Sequence, residues 1–227
     1  MIRGLDLSSY QGRPDLKLPP ADAMRFAIVK CAEGHSNLQD VDFIANRDSA
    51  HAGGLIVGCY NFAHPLPSND PKVQAGLHFQ ASGGLGGDAG ELAPSLDFEW
   101  PDPDKWATQN CTPTQLCDWA LAYLDAATSL WGCRPIFYSY PSFIMAIGAG
   151  HRADFAAYKL WLADYRSPLA WPKDGDAPTV LAPWPEATLW QTSGGSFYKL
   201  PNGARCDTDV FMGTADSLAA WCAGDAL

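Results

Sequence analysis

Asp97 and Glu99 stand two residues apart in Ser95-Leu96-Asp97-Phe98-Glu99-Trp100, at the end of an apolar run from Leu92 to Glu99. Such a run predicts a strand, and residues two apart on a strand project to one face. Two carboxyl groups held that close do not both ionise easily, so one keeps its proton to higher pH while the other carries charge. Apolar Phe98 and Trp100 flank Glu99 and mark it as the group that keeps the proton. A proton donor beside a carboxylate suits the opening of an acetal, whose transition state resembles an oxocarbenium ion. Taken alone, the pair also fits a solvated strand end with no chemistry.

Two more acids extend the pattern. Asp6 ends an apolar stretch in Gly4-Leu5-Asp6-Leu7-Ser8-Ser9-Tyr10-Gln11-Gly12, and Asp207 lies in Cys206-Asp207-Thr208-Asp209-Val210-Phe211. If the first and last strands close a barrel, they are neighbours, and Asp6, Asp97, Glu99 and Asp207 meet at the mouth formed by the strands' carboxyl ends. Four like charges in one place are costly in self-repulsion unless a function holds them there. For Asp6 alone, a turn or cap role beside Ser8 and Ser9 remains the plainer alternative.

The elements that must position these groups follow from periodicity. Strands are predicted at Ile2 to Leu7, Phe26 to Lys30, Leu55 to Phe62, Leu92 to Glu99, Pro135 to Tyr138, Leu160 to Ala163, Leu189 to Gln191 and Cys206 to Phe211. Helices are predicted near residues 40 to 53, 68 to 82, 113 to 130 and 141 to 149, so the first two-thirds alternates strand and helix, as in a parallel sheet. The third helix is the clearest. Leu116, Trp119, Ala120, Tyr123, Leu124 and Ala127 share one face, Thr112 and Gln115 form a capping box, and Pro113 takes the first helical position. Beyond residue 165, Pro168, Pro172, Pro178, Pro183 and Pro185 discourage a long helix. The expectation is an α/β fold, an irregular TIM-like barrel with a β-rich closing part, and a single catalytic domain over residues 1–227, a length typical of such barrels.

Composition narrows the function classes. The chain is 47% apolar and 18% charged, which excludes a disordered polyelectrolyte. Its formal net charge of -10, with no Lys/Arg run, argues against nucleic acid or an anionic membrane as partner. Nine Trp, eight Tyr and ten Phe are a high aromatic load, most of it assigned to core packing, with flat rings that also suit the stacking of sugars. Seven Cys read as buried free thiols, with one or two disulfides open, for instance within Cys111, Cys117 and Cys133, if the protein works outside the cytosol. His35, His51, His64, His78 and His151 show no chelating spacing, so no metal and no cofactor are expected. Ser82-Gly83-Gly84-Leu85-Gly86-Gly87 lacks the Lys-Ser/Thr of a phosphate loop, and Ser193-Gly194-Gly195-Ser196 lacks a nucleophile elbow. Neither a signal peptide nor a membrane span is recognised, which leaves a removed leader or an unconventional export route.

The chain resembles the glycoside hydrolase family 25 lysozymes, the Chalaropsis-type muramidases. The resemblance runs through the Asp6 segment, Phe26-Ala27-Ile28-Val29-Lys30-Cys31-Ala32-Glu33-Gly34, Ala52-Gly53-Gly54-Leu55-Ile56-Val57-Gly58-Cys59-Tyr60-Asn61-Phe62, Leu96-Asp97-Phe98-Glu99, Leu160-Trp161-Leu162-Ala163-Asp164-Tyr165, Leu189-Trp190-Gln191 and the Asp207 to Phe211 ending. Each segment is modest evidence; their order and number make the match specific.

The resemblance implies a barrel of five β/α units with a β-rich closing part, and hydrolysis of the β-1,4 bond from N-acetylmuramic acid to N-acetylglucosamine in peptidoglycan. It implies Glu99 as general acid/base, Asp97 as its partner, and Asp6 and Asp207 as the remaining acidic pair. Tyr60 and Tyr138 match groove-lining aromatics, and Asp164 falls at a substrate-binding position. The chain departs from the family at Asn61, where many relatives carry His, and at Asp164, where an amide is common. Asp97 could act as a covalent nucleophile or steady an oxazolinium ion formed by the substrate's acetamido group. The second route is favoured because muramic acid carries that group. A monomer is expected, acting on the cell wall either as a phage lysis enzyme or as a secreted protein, with no wall-binding repeat recognised after the catalytic region. The competing readings are a non-catalytic carbohydrate- or wall-binding barrel and a hydrolase of another polymer such as chitin.

Overall fold

The computed structural model of the protein describes residues 1–35, 38–99, 111–166 and 169–224. Trp100 and Pro168, both used in the sequence reading, lie outside them.

Nine strands form one sheet: β1 (Ile2–Leu7), β2 (Met24–Glu33), β3 (Leu38–Gln39), β4 (Ile56–Phe62), β5 (Ser95–Asp97), β6 (Ile136–Ser139), β7 (Lys159–Ala163), β8 (Leu189–Ser193) and β9 (Asp207–Phe211). Parallel pairing runs from β1 to β2, β4, β5, β6, β7 and β8 in turn. β9 lies antiparallel between β8 and β1 and closes the ring, so the barrel has eight strands, with the short β3 appended to β2. Closure leaves those eight without a free edge.

Helices α1 (Phe43–Ala52), α2 (Pro71–Ser82), α3 (Pro113–Trp131) and α4 (Pro141–Ile147) fall between successive barrel strands from β2 to β7. β1 reaches β2 through two 3₁₀ turns, Ser9–Gln11 and Pro20–Asp22. Helix α3 begins as its sequence dictates. Thr112 Oγ1 accepts from the Gln115 amide at 3.2 Å, and Gln115 Oε1 accepts from the Thr112 amide at 2.8 Å. Its inner face buries Leu116, Trp119, Tyr123 and Leu124, and Trp119 stacks between Phe98 and Tyr123. Each large apolar group withdrawn from water there contributes about 1.5–3 kcal/mol. Helix α5 (Ala215–Cys222), after the last strand, was not foreseen, although Thr214 and Ser217 cap it reciprocally. The strand predicted over Leu92 to Glu99 shortens to β5, because Leu92 and Pro94 bond outside the ladder: the Leu92 amide donates to the Val57 carbonyl and the Pro94 carbonyl accepts from Ile136.

Alternation on each strand separates two cores. Inside the barrel Phe26, Ile28, Ile136, Trp161, Leu189 and Phe211 pack together, while the opposite face of the same strands sends Ala27, Val29, Val57, Leu96 and Phe137 toward the helices. Gly4 makes room for the interior ring of Phe26, since a Cβ there would lie 2.3 Å from it. Gly76, in the middle of α2, has nothing within 4 Å of its would-be Cβ. Gly4→Ala is therefore expected to cost about 1–3 kcal/mol by overpacking, whereas Gly76→Ala should add about 0.5–1 kcal/mol through helix propensity. Urea unfolding with an unchanged m-value measures both, and equal effects of one sign would contradict the packing described.

Candidate active site

Strand register brings the acids together. Asp6 on β1 is directly opposite Asp207 on β9, and Asp209 is opposite Gly4 on one side and Gln191 of β8 on the other. Across the barrel Phe62, Asp97, Tyr138 and Trp161 form a continuous row over β4, β5, β6 and β7. Asp97 and Asp207 project inward by strand parity, and Glu99 follows Asp97 on the same side just past the strand end. A pocket at the carboxyl ends of the strands is lined by Asp6, Asp97, Glu99 and Asp207, together with Tyr60, Tyr138 and Trp161. A larger hollow of about 660 Å³ lies at the opposite end, by Arg134, Lys159 and Trp221, away from these acids.

Gln191 ties the floor together. Its Nε2 donates to Asp6 Oδ2 at 2.8 Å and to Asp207 Oδ2 at 3.4 Å, and its Oε1 accepts from the Tyr138 hydroxyl at 2.9 Å and the Tyr165 hydroxyl at 2.8 Å. A neutral amide that gives hydrogens to two carboxyls and takes them from two phenols leaves none of its own polar atoms unmet. Asp209, fully buried, accepts from Trp161 Nε1 at 2.7 Å. Its other oxygen, Oδ2, is buried with no hydrogen-bond partner among the described residues.

Burial pushes the whole acidic set upward. Glu99 rises to about 7, first from burial and then from the charge of Asp207. Asp207 rises to about 8 through burial and Asp6, and Asp209 to about 7 through burial. Asp6 and Asp97 are both raised well above the usual carboxylate range, Asp6 by burial and Asp209, Asp97 by burial and Glu99. Asp97 Oδ1 is buried with no hydrogen-bond partner. At the rim Glu33 goes the other way, down to about 2, because His64 and Lys30 hydrogen-bond to it. Lys30 Nζ lies 2.5 Å from Glu33 Oε2, and His64 Nε2 lies 3.2 Å from Oε1.

Several expectations need revision. Phe98 does not desolvate Glu99: parity turns its ring outward, where it packs on Trp119, Phe137 and Phe143. Trp100 is outside the described residues, and the causes that raise Glu99 are burial and the charge of Asp207. Asp164 lies off the pocket, its carboxylate bound to Arg166 Nε at 2.7 Å and the Thr179 amide at 2.8 Å. Asn61 also faces away, fully buried on the helix side of β4, while Tyr60 and Phe62 face the pocket. Gln191, Asp209, Trp161 and the Lys30, Glu33 and His64 group were not singled out from sequence. Asp209 had a usable signal, since it stands two residues from Asp207 and shares its face.

Comparison with known proteins points the same way. A profile of the glycosyl hydrolases family 25 matches residues 5–198. Among curated proteins, the N,O-diacetylmuramidase of a Chalaropsis species is 27% identical over 202 residues, 87% of this chain and 90% of its own length. Lysozyme M1 of Streptomyces globisporus is 27% identical over 219 residues, 96% of this chain and 70% of its own. Among solved structures, a bacterial lysozyme from Streptomyces coelicolor superposes with a TM-score of 0.84 at 27% identity, covering 99% of this chain and 98% of that one.

The raised acids link stability to pH. A carboxyl that titrates higher folded than unfolded binds more protons in the native state, so its stabilisation is full below the unfolded value and is lost as pH rises through the folded one. For Glu99, Asp207 and Asp209 that window runs from about pH 4 to about 8. The Tm should fall across it, and Asp209→Asn, which keeps an acceptor for Trp161 but does not titrate, should flatten the fall. An identical slope in the variant would show that Asp209 is ordinary in the native state.

Proposed function

The chain belongs to the glycosyl hydrolases family 25, and on that premise we propose that it is a lysozyme cutting the β-1,4 bond between N-acetylmuramic acid and N-acetylglucosamine in peptidoglycan, with Glu99 as general acid/base. One observation carries this reading: Asp97 and Glu99 line one pocket at the carboxyl ends of the strands, Glu99 holding its proton to about 7 and Asp97 beside it also raised by burial and by Glu99.

The steps follow from these groups. A sugar enters against Tyr60, Tyr138 and Trp161, whose rings suit its apolar face. Tyr10, 90% exposed at the pocket rim, extends that platform outward. The Asp97 carboxylate accepts the N–H of the acetamido group and aims the group's carbonyl oxygen at the anomeric carbon. As the glycosidic bond breaks, Glu99 gives its proton to the leaving oxygen and the acetamido oxygen bonds to the anomeric carbon. The positive charge that develops on the oxazolinium ring favours the ionised form of Asp97. Water then attacks the anomeric carbon, Glu99 takes its proton, and the ring opens with the acetamido group restored. Asp6, Asp207 and Asp209, fixed by Gln191 and Trp161, hold the floor, and burial with the charge of Asp207 keeps Glu99 protonated. The site is complete within one chain, which fits action as a monomer.

Glu99→Gln keeps shape and hydrogen bonding without a transferable proton, so turnover on purified peptidoglycan should fall by about 10²- to 10⁴-fold with glycan affinity retained. Asp97→Asn should impair turnover while leaving the pH dependence set by Glu99. In the native enzyme the rate should decline as pH rises through about 7. Near-normal turnover by Glu99→Gln with an unshifted pH profile would overturn the assignment. Reducing ends released from chitin as readily as from peptidoglycan would overturn the substrate.

A further inference from the structure

The helix side of the sheet carries a second cluster of reactive groups that has no part in the acidic pocket. Cys31 on β2, Cys59 on β4 and His78 on α2 are all buried, and their two sulfurs and one imidazole nitrogen lie within 4.8 Å of one another. Strand β2 slips register between Lys30 and Ala32, so Cys31 falls at an irregularity of the ladder, beside the β4 segment that carries Cys59. Helix α2 covers that place, and His78 lies on its buried face with Gln74, Ala75 and Ser82.

The geometry points to a structural zinc site in which the thiolates of Cys31 and Cys59, Nε2 of His78 and the backbone carbonyl oxygen of Leu85 surround one Zn²⁺ ion. Zn–S bonds of about 2.3 Å and Zn–N bonds of about 2.0 Å at a tetrahedral angle put sulfur and nitrogen roughly 3.5 Å apart. Cys59 Sγ and His78 Nε2 are 3.5 Å apart. The Leu85 oxygen is 3.4 Å from the same sulfur, a separation that suits a neighbouring ligand. That carbonyl already accepts from Trp131 Nε1 at 3.0 Å and has a second lone pair to give.

The surroundings meet what a metal-bound histidine needs. His78 Nδ1 is 2.8 Å from the Tyr123 hydroxyl, so with Nδ1–H donating, Nε2 turns its lone pair toward the sulfurs, and Tyr123 fixes both tautomer and ring angle. Trp131 packs against the imidazole at 4.8 Å. Charge balance selects the ion: two thiolates and a neutral imidazole cancel a divalent cation, leaving no net charge in the core. Binding breaks two S–H bonds, forms two Zn–S bonds and sends two protons to solvent. Spacing hid this site from the sequence, because its three side chains come from two strands and a helix that only the fold brings together.

Metal analysis of the whole protein tests the inference without reference to catalysis. After exposure to zinc and dialysis, about one equivalent should remain, and the metal-stripped protein should gain Tm on addition of zinc. Cobalt(II) in its place should show thiolate-to-metal charge transfer and tetrahedral d–d bands. These signals should vanish in Cys59→Ala and persist undiminished in Glu99→Gln, which separates this site from the hydrolytic one. Should Cys59→Ala fail to fold, zinc content and cobalt spectrum of the unmodified chain decide alone. Less than a tenth of an equivalent with all seven thiols reactive after unfolding would overturn the site, as would a Cys31–Cys59 disulfide found by mass spectrometry.

Discussion

The structure turns on the burial of five carboxyl groups at one end of a barrel. Asp6, Asp97, Glu99, Asp207 and Asp209 all titrate upward, and in each case burial is the largest cause. Isolated charges there would be prohibitively costly, so protons and hydrogen bonds must replace water. Gln191 and Trp161 provide the bonds, and burial itself favours the protonated form of these acids. Closure by β9 is what makes this possible. By running antiparallel between β8 and β1, it sets Asp207 against Asp6 and Asp209 against Gln191. A chain optimised only for stability would not gather these groups, and the downward pull of pH on stability is the counterpart of a glutamic acid still protonated near neutrality.

Strand parity gives the same strands two independent jobs. Inward residues of β4, such as Tyr60 and Phe62, line the pocket, whereas Cys59 and Asn61, which alternate with them, face the helices. A one-residue slip would exchange the two sets, and β2 uses a local slip to advantage. Lys30 and Cys31 alternate normally, and the irregularity between Lys30 and Ala32 then keeps Ala32 with Cys31 in the helix-side core and returns Glu33 to the pocket. An acidic cluster that depends on protons and a thiolate cluster suited to a cation thus lie on opposite faces of one sheet, separated by the backbone.

What could be read in the sequence and what could not divides along physical lines. Helix α3 was legible down to its capping box because apolar period, Thr112, Pro113 and Gln115 are all local signals. The strand set and the convergence of Asp6, Asp97, Glu99 and Asp207 followed from alternation and from closure of first strand on last. Whatever depended on three-dimensional neighbours was hidden. Gln191 is an ordinary polar residue until register sets it among two acids and two tyrosines. Phe98 was read as a desolvating neighbour of Glu99, yet adjacent strand residues face opposite ways, so adjacency in sequence argued against contact. Asp164 followed from resemblance alone, and its engagement with Arg166 and Thr179 depends on a loop that periodicity does not describe.

The rim shows how the proton on Glu99 is protected. Among the described residues that line the pocket, Lys30 is the only cationic side chain. Its charge favours ionisation of both Asp97 and Glu99. Bound directly to either, a lysine would pull that acid's proton affinity down by one to three units, roughly the usual effect of a close opposite charge, and the donor would be ionised before substrate arrived. Glu33 prevents this by taking the ammonium group itself, at 2.5 Å, while His64 holds the far oxygen of the same carboxylate. Ionised down to about pH 2, Glu33 stays charged wherever the enzyme is folded and active, so the neutralisation of Lys30 does not vary with pH. The barrel therefore contains two kinds of carboxylate, one held as an anion by its hydrogen bonds from His64 and Lys30 and so able to keep the lysine occupied, the others deep enough to remain acids.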